Sequence, residues 1–346
     1  MKIEEISRYL REYEGRPLTL MEVCGSHTAA IAKCGIKDIL SDKIKLISGP
    51  GCPVCVTPSA YIDKLIEIAK EPGCCVASFG DMLRVPGSVE SLSEAKSKGA
   101  STVMVYSPMD VLGLAAQNPE TTYVFAAVGF ETTAPVYTLL IEEAQRQNLD
   151  NIKLLTSLKT MPNVLEWLLE GEATIDGFLA PGHVCAITGS EYFAPLARRY
   201  KVPMAVSGFK DKELLLAIYG LVKMAQEGIA EVRNYYPSVV ESCGNTMAID
   251  RISRYFKPYN AVWRGVGEVK DSGLILREEY SRYDAGSIGL AEDIKRNQGC
   301  CCGQILMGRM EPKDCPLFGK VCSPDSPQGA CMVSYEGSCY QNYLNS

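Results

Sequence analysis

The chain has 346 residues, of which 47% are hydrophobic and 22% are charged, values typical of a globular protein with two or three domains. Lys and Arg total 35 while Asp and Glu total 41, so the formal net charge is −6. This acidic balance argues against a broad nucleic-acid-binding surface. No apolar run approaches the roughly 18 residues of a membrane-spanning helix, and the charged N-terminus lacks a signal-peptide core. We therefore expect a cytoplasmic protein that binds neither nucleic acid nor membranes.

Apolar runs rich in β-branched residues alternate with longer amphipathic stretches over the first 230 residues. The runs predict strands at 18–23, 45–48, 75–79, 102–107, 123–128, 152–157, 177–180 and 204–207. The stretches predict helices at 3–13, 59–70, 133–147, 164–170, 191–200 and 212–226. Continuous apolar strands separated by helices indicate parallel sheets that are covered on both faces. The predicted fold class is therefore α/β.

Distinctive turns follow nearly every predicted strand. They read CGSH (24–27), GPGCPVC (49–55), GD (80–81), SPMD (107–110), GFETT (129–133), PGH (181–183) and SGF (207–209). Because ligands of such folds bind beyond the carboxyl ends of the strands, these turns predict a built site, with Glu131 of GFETT as a candidate residue. Ordinary turn composition is the alternative, and it explains GD and SPMD equally well.

A weak internal repeat divides this region. MEVCGSHTAAI followed by KLISG matches FLAPGHVCAI followed by MAVSG. The repeat predicts two similar parallel-sheet α/β lobes, at about 20–145 and 146–235, that face each other across a cleft. Beyond residue 235 the chain loses strong periodicity and then becomes rich in Cys, Gly and Pro. We expect residues 236–346, together with 1–19, to form a third module that its ligands organise.

The GPGCPVC turn carries Cys52 and Cys55 in a C-x-x-C arrangement. Two thiols at this spacing can form a reversible disulfide or half of a metal site, and a nearby helix N-terminus favours the thiolate. The second C-x-x-C that a zinc ribbon needs does not follow. The pattern therefore favours redox chemistry or transient metal contact, with a structural turn as the alternative.

The CGSH turn places Cys24 and His27 three residues apart. Both side chains could reach one metal ion, or the imidazole could activate the thiol. His183 occupies the corresponding turn of the second repeat. For each histidine the alternative is a turn imidazole that hydrogen-bonds the backbone.

Seven of the 15 cysteines lie within the last 47 residues. Six of them follow the pattern C-x-C-x12-C-x6-C-x8-C-x7-C with no histidine among them, and all-thiolate ligation suits an iron–sulfur cluster or zinc. Four ligands would leave two thiols for a disulfide. The six are Cys300, Cys302, Cys315, Cys322, Cys331 and Cys339. We interpret Cys301 as a bystander, and Cys34, Cys74, Cys75, Cys185 and Cys243 as small buried hydrophobes.

Long, ordered motifs connect this chain to a known family. CGSHT (24–28), GPGCPVC (49–55), GFETTAP (129–135), PGHV (181–184), SGF (207–209) and CPLFGKVCSPDSPQGACMVSYEGSC (315–339) resemble those of the hydrogenase maturation factor HypD family. The resemblance runs from about residue 20 to the C-terminus. It implies a scaffold that assembles the Fe(CN)2CO centre of [NiFe]-hydrogenase together with the small chaperone HypC and the cyanide donor HypE.

The resemblance also implies roles for the cysteines. It places a [4Fe–4S] cluster on Cys300, Cys315, Cys322 and Cys339, and a disulfide between Cys302 and Cys331. Cys52 and Cys55 would be the redox-active pair, while Cys24, with His27, would hold the iron transiently. Two positions depart from the family pattern: Cys301 stands where a residue other than Cys is usual, so it could replace Cys300 as ligand, and Cys185 stands where Ser is expected.

Two rival functions explain less of the sequence. A free-standing iron–sulfur disulfide reductase accounts for the cluster cysteines and for Cys52 and Cys55, but not for CGSH, GFETT or PGH. A zinc-stabilised binding module accounts only for the C-terminal cysteines. An assembly scaffold with redox chemistry, rather than a free-standing turnover enzyme, is therefore the favoured interpretation.

Overall fold

The apolar runs of the chain form two sheets. The computed structural model describes residues 2–171, 174–290, 294 and 297–345. The strands are β1 Leu18–Glu22, β2 Ile44–Ser48, β3 Cys74–Ser78, β4 Thr102–Met104, β5 Thr122–Gly129, β6 Ile152–Lys159, β7 Gly177–Pro181, β8 Met204–Ser207, β9 Val232–Asn234, β10 Phe256–Trp263 and β11 Gly267–Leu276.

Helices connect and cover these strands. The α-helices are α1 Ile3–Arg11, α2 Gly25–Lys33, α3 Pro53–Val56, α4 Ser59–Lys70, α5 Gly80–Arg84, α6 Leu92–Ser97, α7 Asp110–Gln117, α8 Ala134–Arg146, α9 Met161–Glu170, α10 Gly182–Thr188, α11 Ala194–Tyr200, α12 Asp211–Glu227, α13 Thr246–Tyr255, α14 Cys302–Leu306 and α15 Ser338–Leu344. Short 3-10 helices are Ile36–Ile39, Ser190–Phe193, Glu278–Tyr283, Pro312–Asp314 and Ala330–Met332. Among the described residues, no helix has the length and apolar character needed to cross a membrane.

The first sheet is entirely parallel and has the order β2-β1-β7-β8-β9. From β1 the chain moves outward to β2, and from β7 it moves outward in the opposite direction to β8. The strand order therefore reverses between β1 and β7. In open parallel sheets a crevice forms at such a switch point, beyond the carboxyl ends of the strands, and ligands bind there.

The second sheet has the order β10-β11-β6-β5-β3-β4. Its β3, β4, β5 and β6 are parallel, and the antiparallel hairpin β10–β11 extends it at one edge. The central β5 is buried along nearly its whole length, as its continuous apolar sequence predicts. These two parallel-dominated sheets confirm the α/β fold class, and all eight predicted strands are present.

The repeat and the sheets divide the chain differently. Both copies of the repeat, β1–α2–β2 and β7–α10–β8, lie side by side in the first sheet because β1 pairs directly with β7. The sheets also do not separate at residue 145: β3, β4 and β5 belong with β6 in the second sheet. The two predicted segments therefore do not each form one sheet, and the repeated turns lie together instead of facing each other from separate lobes.

The N-terminal helix packs elsewhere than expected, and the chain just beyond residue 235 is more regular than its weak periodicity indicates. We expected α1 to pack on the C-terminal module, but its buried Ile6 and Leu10 join the core beneath α12, and Tyr9 stacks edge-on against Tyr219. The aperiodic segment forms α13 and the hairpin β10–β11. Its strands are half-exposed at a sheet edge and include charged residues and glycine, which obscures their pattern.

Candidate thiol site at the strand ends

The CGSH turn lies at the carboxyl end of β1, beside the switch point. Cys24 is the N-cap of α2, and its backbone N–H donates to Glu22 Oε2 at 3.1 Å. The other carboxylate oxygen of Glu22 accepts from Thr28 Oγ1 at 2.5 Å. This buried carboxylate therefore ties the end of β1 to the first turn of α2 and fixes the backbone that presents Cys24.

Burial dominates the acid–base chemistry of Cys24. It raises the pKa of the Cys24 thiol to about 12, although the backbone amides of His27 and Ser26 lower it. The carboxylates of Glu336 and Glu22 raise this pKa further. The thiol is therefore protonated at neutral pH, and a bound cation would have to displace that proton to gain a thiolate ligand.

The GPGCPVC turn follows β2 and packs directly on the Cys24 turn. The backbone N–H of Gly25 donates to the carbonyl of Gly51 at 2.9 Å. A Cβ at Gly51 would collide with the backbone nitrogen of Cys24, so this close approach requires glycine. Cys52 and Cys55 are buried and form a disulfide, with Cα atoms 5.2 Å apart. The predicted thiol pair and Cys24 therefore lie on adjacent, touching turns.

Arg264 anchors the chain that follows the disulfide. Its backbone N–H donates to the carbonyl of Val56 at 2.8 Å, and its Nε donates to the carbonyl of Thr57 at 2.6 Å. The same buried guanidinium donates to the carbonyl of Pro86 at 3.2 Å. Arg264 lies in the β10–β11 turn. The edge hairpin of the second sheet therefore holds the chain segment that follows β2 of the first sheet.

His27 is buried and neutral. Its Nε2 lies 3.2 Å from the carbonyl oxygen of Ser207 and 3.1 Å from that of Gly208, so Nε2 carries the proton and donates. Its Nδ1 has no hydrogen-bond partner among the described residues. Burial lowers the pKa of His27 to about 4. The imidazole therefore supplies no positive charge to activate Cys24; its backbone bonds match one predicted alternative, and Nδ1 keeps an available lone pair.

His183 occupies the equivalent place after β7. Its ring stacks on Phe209 with centroids 4.1 Å apart, and His27 lies 4.9 Å from the same ring. The two histidines of the chain thus share one aromatic neighbour from the SGF turn. This arrangement is a direct result of the β1–β7 pairing.

Glu131 lies buried where the two sheets meet. Its Oε1 accepts from the backbone N–H of Met161 at 2.8 Å and from the Tyr192 hydroxyl at 3.1 Å. Its Oε2 has no partner among the described residues. Burial raises the pKa of Glu131 to about 7. Burial also raises the pKa of the Cys185 thiol, and the neighbouring Glu131 and Cys24 add to this rise.

The pKa of Glu131 predicts a specific dependence of stability on pH. The folded protein retains the Glu131 proton up to about pH 7, whereas an unfolded glutamate loses it near 4.5. The protonated Glu131 side chain therefore contributes its full amount to the free energy of unfolding below pH 4.5. That contribution is lost as the pH rises to about 7, where the folded protein also releases the proton. The full loss is on the order of 3 kcal/mol.

Glu131→Gln should flatten the decline in the free energy of unfolding that urea unfolding measures between pH 4.5 and 7. The exposed Glu120→Gln serves as control and should keep the wild-type slope. An unchanged slope in Glu131→Gln would show that this carboxyl does not titrate differently in the folded state.

The C-terminal cysteines gather around one small cavity. Gly329 lies so close to Cys300 and Cys302 that a Cβ there would collide with both sulfur atoms. The cavity is lined by Cys300, Cys302, Cys315, Cys322 and Cys339, together with Ile305, Leu317, Phe318, Gly329 and Met332. All four cysteines to which the resemblance assigns a cluster are therefore buried at this cavity.

The remaining C-terminal thiols have distinct positions. The Cys302 sulfur lies 3.4 Å from the Cys300 sulfur, and the thiols of Cys302, Cys331 and Cys339 interact with one another. Cys302 and Cys331 are both free thiols, so the structure brings the expected disulfide partners near each other without the bond. Cys331 is fully buried and does not line the cavity. The Cys301 sulfur is directed to the carbonyl of Gly299 at 3.5 Å, also away from the cavity, which favours Cys300 as the ligand.

The donor set fits an iron–sulfur cluster. Among the described residues, no three His, Cys, Asp or Glu side chains are arranged around a single metal ion. An iron–sulfur cluster is held by cysteine thiolates. Buried soft thiols around an apolar cavity match this chemistry, and Cys300, Cys315, Cys322 and Cys339 would hold the cluster.

The cysteine-rich region packs on both strand-end turns. Glu336 accepts a hydrogen bond from Ser26 Oγ at 2.6 Å, and its Cβ lies against Gly25. The 3-10 turn Ala330–Met332, which contains Cys331, packs on α3, the helix that contains Cys55 and has Cys52 as its N-cap. Cys52, Cys55 and the six patterned C-terminal cysteines belong to one hydrophobic cluster.

Several residues of this site escaped sequence reasoning. Arg264, Glu22 and Tyr192 lie outside the turn motifs, and only the structure shows their contacts with those motifs. Glu336 lies within the YEGSC motif, but the motif does not indicate its contact with Ser26. Two cysteines interpreted as buried, Cys34 and Cys243, are exposed.

The fold and the site define a cysteine-rich α/β protein whose buried thiols converge at the carboxyl ends of parallel strands. The chain belongs to the HypD family: the family's sequence model, described as the hydrogenase formation hypA family, matches residues 1–346. This membership supports a role in hydrogenase maturation.

Individual relatives agree with the family. The chain is 42% identical over 334 residues to the hydrogenase maturation factor HypD of Azotobacter vinelandii, covering 94% of this chain and 88% of the relative. It is 39% identical over 341 residues to the protein of the same name from Escherichia coli, covering 97% and 91%. The corresponding Rhodobacter capsulatus protein is 40% identical over 332 residues, covering 94% and 88%.

Proposed function

We propose that this protein is the scaffold on which the Fe(CN)2CO centre of [NiFe]-hydrogenase is assembled, acting with HypC and HypE. The iron is cargo: Cys24 holds it at the switch-point crevice. The observation that supports this most is the contact between the Cys24 turn and the Cys52–Cys55 turn, with the cysteine-rich region packed against both. Neither rival function needs the Cys24 turn in this place.

Cys24 suits the role of an iron anchor. A soft thiolate is a natural ligand for the iron that binds cyanide and carbon monoxide. Because burial keeps the thiol protonated when no metal is present, iron binding releases its proton. The Gly25–Gly51 hydrogen bond and the Glu22 bridge hold the turn in place, so the sulfur needs little reorganisation. We propose that HypC contributes a second thiolate to the same iron.

Cys52 and Cys55 would act as a two-electron store. Reduction of their disulfide takes up two electrons and two protons and leaves two thiols. A cluster held by Cys300, Cys315, Cys322 and Cys339 supplies single-electron chemistry when bound. The 3-10 turn that carries Cys331 packs against α3, next to this disulfide. The cluster cysteines and the disulfide therefore belong to one packed core.

The proposed role predicts that Cys52 and Cys55 titrate together with ambient redox potential. Differential alkylation followed by mass spectrometry can follow them alone, because the tryptic peptide 46–64 contains both and no other cysteine. Labelling of the two thiols should change in parallel, with one midpoint for a two-electron couple.

The peptide 234–251 provides the control, since it contains only the exposed Cys243, which has no disulfide partner. Its labelling should not follow the same transition. If peptide 46–64 were labelled to the same extent across the whole range of potentials, the proposed redox role would be wrong.

A further inference from the structure

A second buried site lies in the second sheet, away from the cysteines. A cavity opens between β6, the hairpin β10–β11 and the start of α4. Lys159, at the end of β6, lines this cavity and is buried. Within the part of the chain that the structure describes, Lys159 forms no hydrogen bond or ion pair. A buried amine without a partner is costly to the fold and needs an explanation.

Ser157 adds a buried, unsatisfied hydroxyl on the same face. Residues two apart on a strand point to one side of the sheet, so Ser157 and Lys159 face the same way. Ser157 is buried, and its Oγ has no partner among the described residues. The cavity thus presents an amine and a hydroxyl donor side by side.

Thr156 also lines the cavity, and its buried Oγ1 likewise has no partner among the described residues. The tyrosine hydroxyls around the cavity are already engaged. The Tyr61 hydroxyl donates to the carbonyl of Leu155 at 2.7 Å, and the Tyr259 hydroxyl accepts from the backbone of Gly289 at 3.4 Å. Glu268 also lines the cavity but is exposed and forms no ion pair with Lys159. Burial alone lowers the pKa of Lys159 to about 7, so no nearby carboxylate compensates the ammonium.

The cavity volume limits what could bind. It is about 40 Å³, and one water needs roughly 10–15 Å³ on the same measure. The space therefore admits a molecule of three or four non-hydrogen atoms and excludes a nucleotide. We propose that this cavity binds a small carboxylate-type anion, with Lys159 as its counter-ion and Ser157 as a hydrogen-bond donor.

Sodium formate, a three-atom carboxylate, is the probe for this site in the full-length protein at constant ionic strength. Thermal unfolding at pH 6 should show a saturable formate-dependent rise in Tm. Isothermal titration at pH 8, in buffers of different ionisation enthalpy, should show proton uptake, because most Lys159 side chains are neutral there before the anion binds. Above pH 7 the affinity should fall about tenfold per pH unit, because the anion binds the ammonium form.

Lys159→Met should abolish the formate effect, and Ser157→Ala should weaken it. Lys153→Met, on the same strand but only partly buried, is the matched control and should behave as wild type. Without formate, Lys159→Met should be at least as stable as wild type, because it removes an uncompensated buried charge. An equal formate effect in Lys159→Met, or the absence of a saturable effect in wild type, would overturn the proposal. If Lys159→Met does not fold, Ser157→Ala becomes the test, and an affinity for formate equal to that of wild type would overturn the proposal.

Discussion

Cys24→Ala should fold normally, keep the colour of an iron–sulfur protein and fail to support hydrogenase maturation. Alanine preserves the helix start, because the Glu22 bridge is made by the Cys24 backbone and not by its side chain. The substitution removes the only sulfur on the CGSH turn. Hydrogenase activity in cells that depend on the variant should therefore fall to background, while the visible spectrum of the purified protein stays unchanged.

A burial-matched control separates loss of the ligand from loss of packing. Cys185 is also fully buried, and it lies on α10 directly after β7, the strand that pairs with β1. Cys185→Ala removes the same volume from the same neighbourhood and should leave maturation largely intact. Normal maturation by Cys24→Ala would contradict the proposed role of this thiol and move the iron to Cys52 or Cys55.

Serine at Cys315, Cys322 or Cys339 should bleach the protein and destabilise its C-terminal region. The region from residue 297 has only short helices, so the binding of a cluster would contribute much of its folding free energy. Visible absorption of anaerobically purified protein, iron content and urea unfolding measure the effect. We expect loss of most of the absorption and a decrease of several kcal/mol in the free energy of unfolding.

Neighbouring cysteines provide the controls for this prediction. Cys301→Ser should retain the colour, because the Cys301 sulfur faces Gly299 and not the cavity. Cys331→Ser should also retain most of it. Bleaching by Cys331→Ser as complete as that by Cys322→Ser would show that the four ligands are wrongly assigned.

The sequence predicted the parallel-strand part of the fold well. Runs such as residues 123–128 are apolar because both faces of the strand are covered, so the pattern alone identifies them. The same reasoning failed for β10 and β11, where one edge is open and charged residues interrupt the pattern. It also could not show that β1 pairs with β7, because that pairing joins segments more than 150 residues apart.

The structure brings together the predicted residues that lie in turns. Glycine and cysteine at strand ends mark the Cys24 and Cys52–Cys55 turns, and parallel packing brings such ends together. The residues that hold these turns in place could not be predicted in this way. Arg264 holds the second turn from a distant hairpin, and Glu336 reaches the first from the C-terminal region. Such contacts depend on tertiary packing and leave no local pattern.

Infrared spectroscopy of the protein purified anaerobically with HypC tests the central proposal most directly. The iron bound at Cys24 should give separate stretching bands for cyanide and carbon monoxide. The bands should be absent from the Cys24→Ala complex and present in the Cys185→Ala complex at wild-type intensity. Bands that persist without Cys24, or a wild-type complex that has none while the hydrogenase is being matured, would contradict the account.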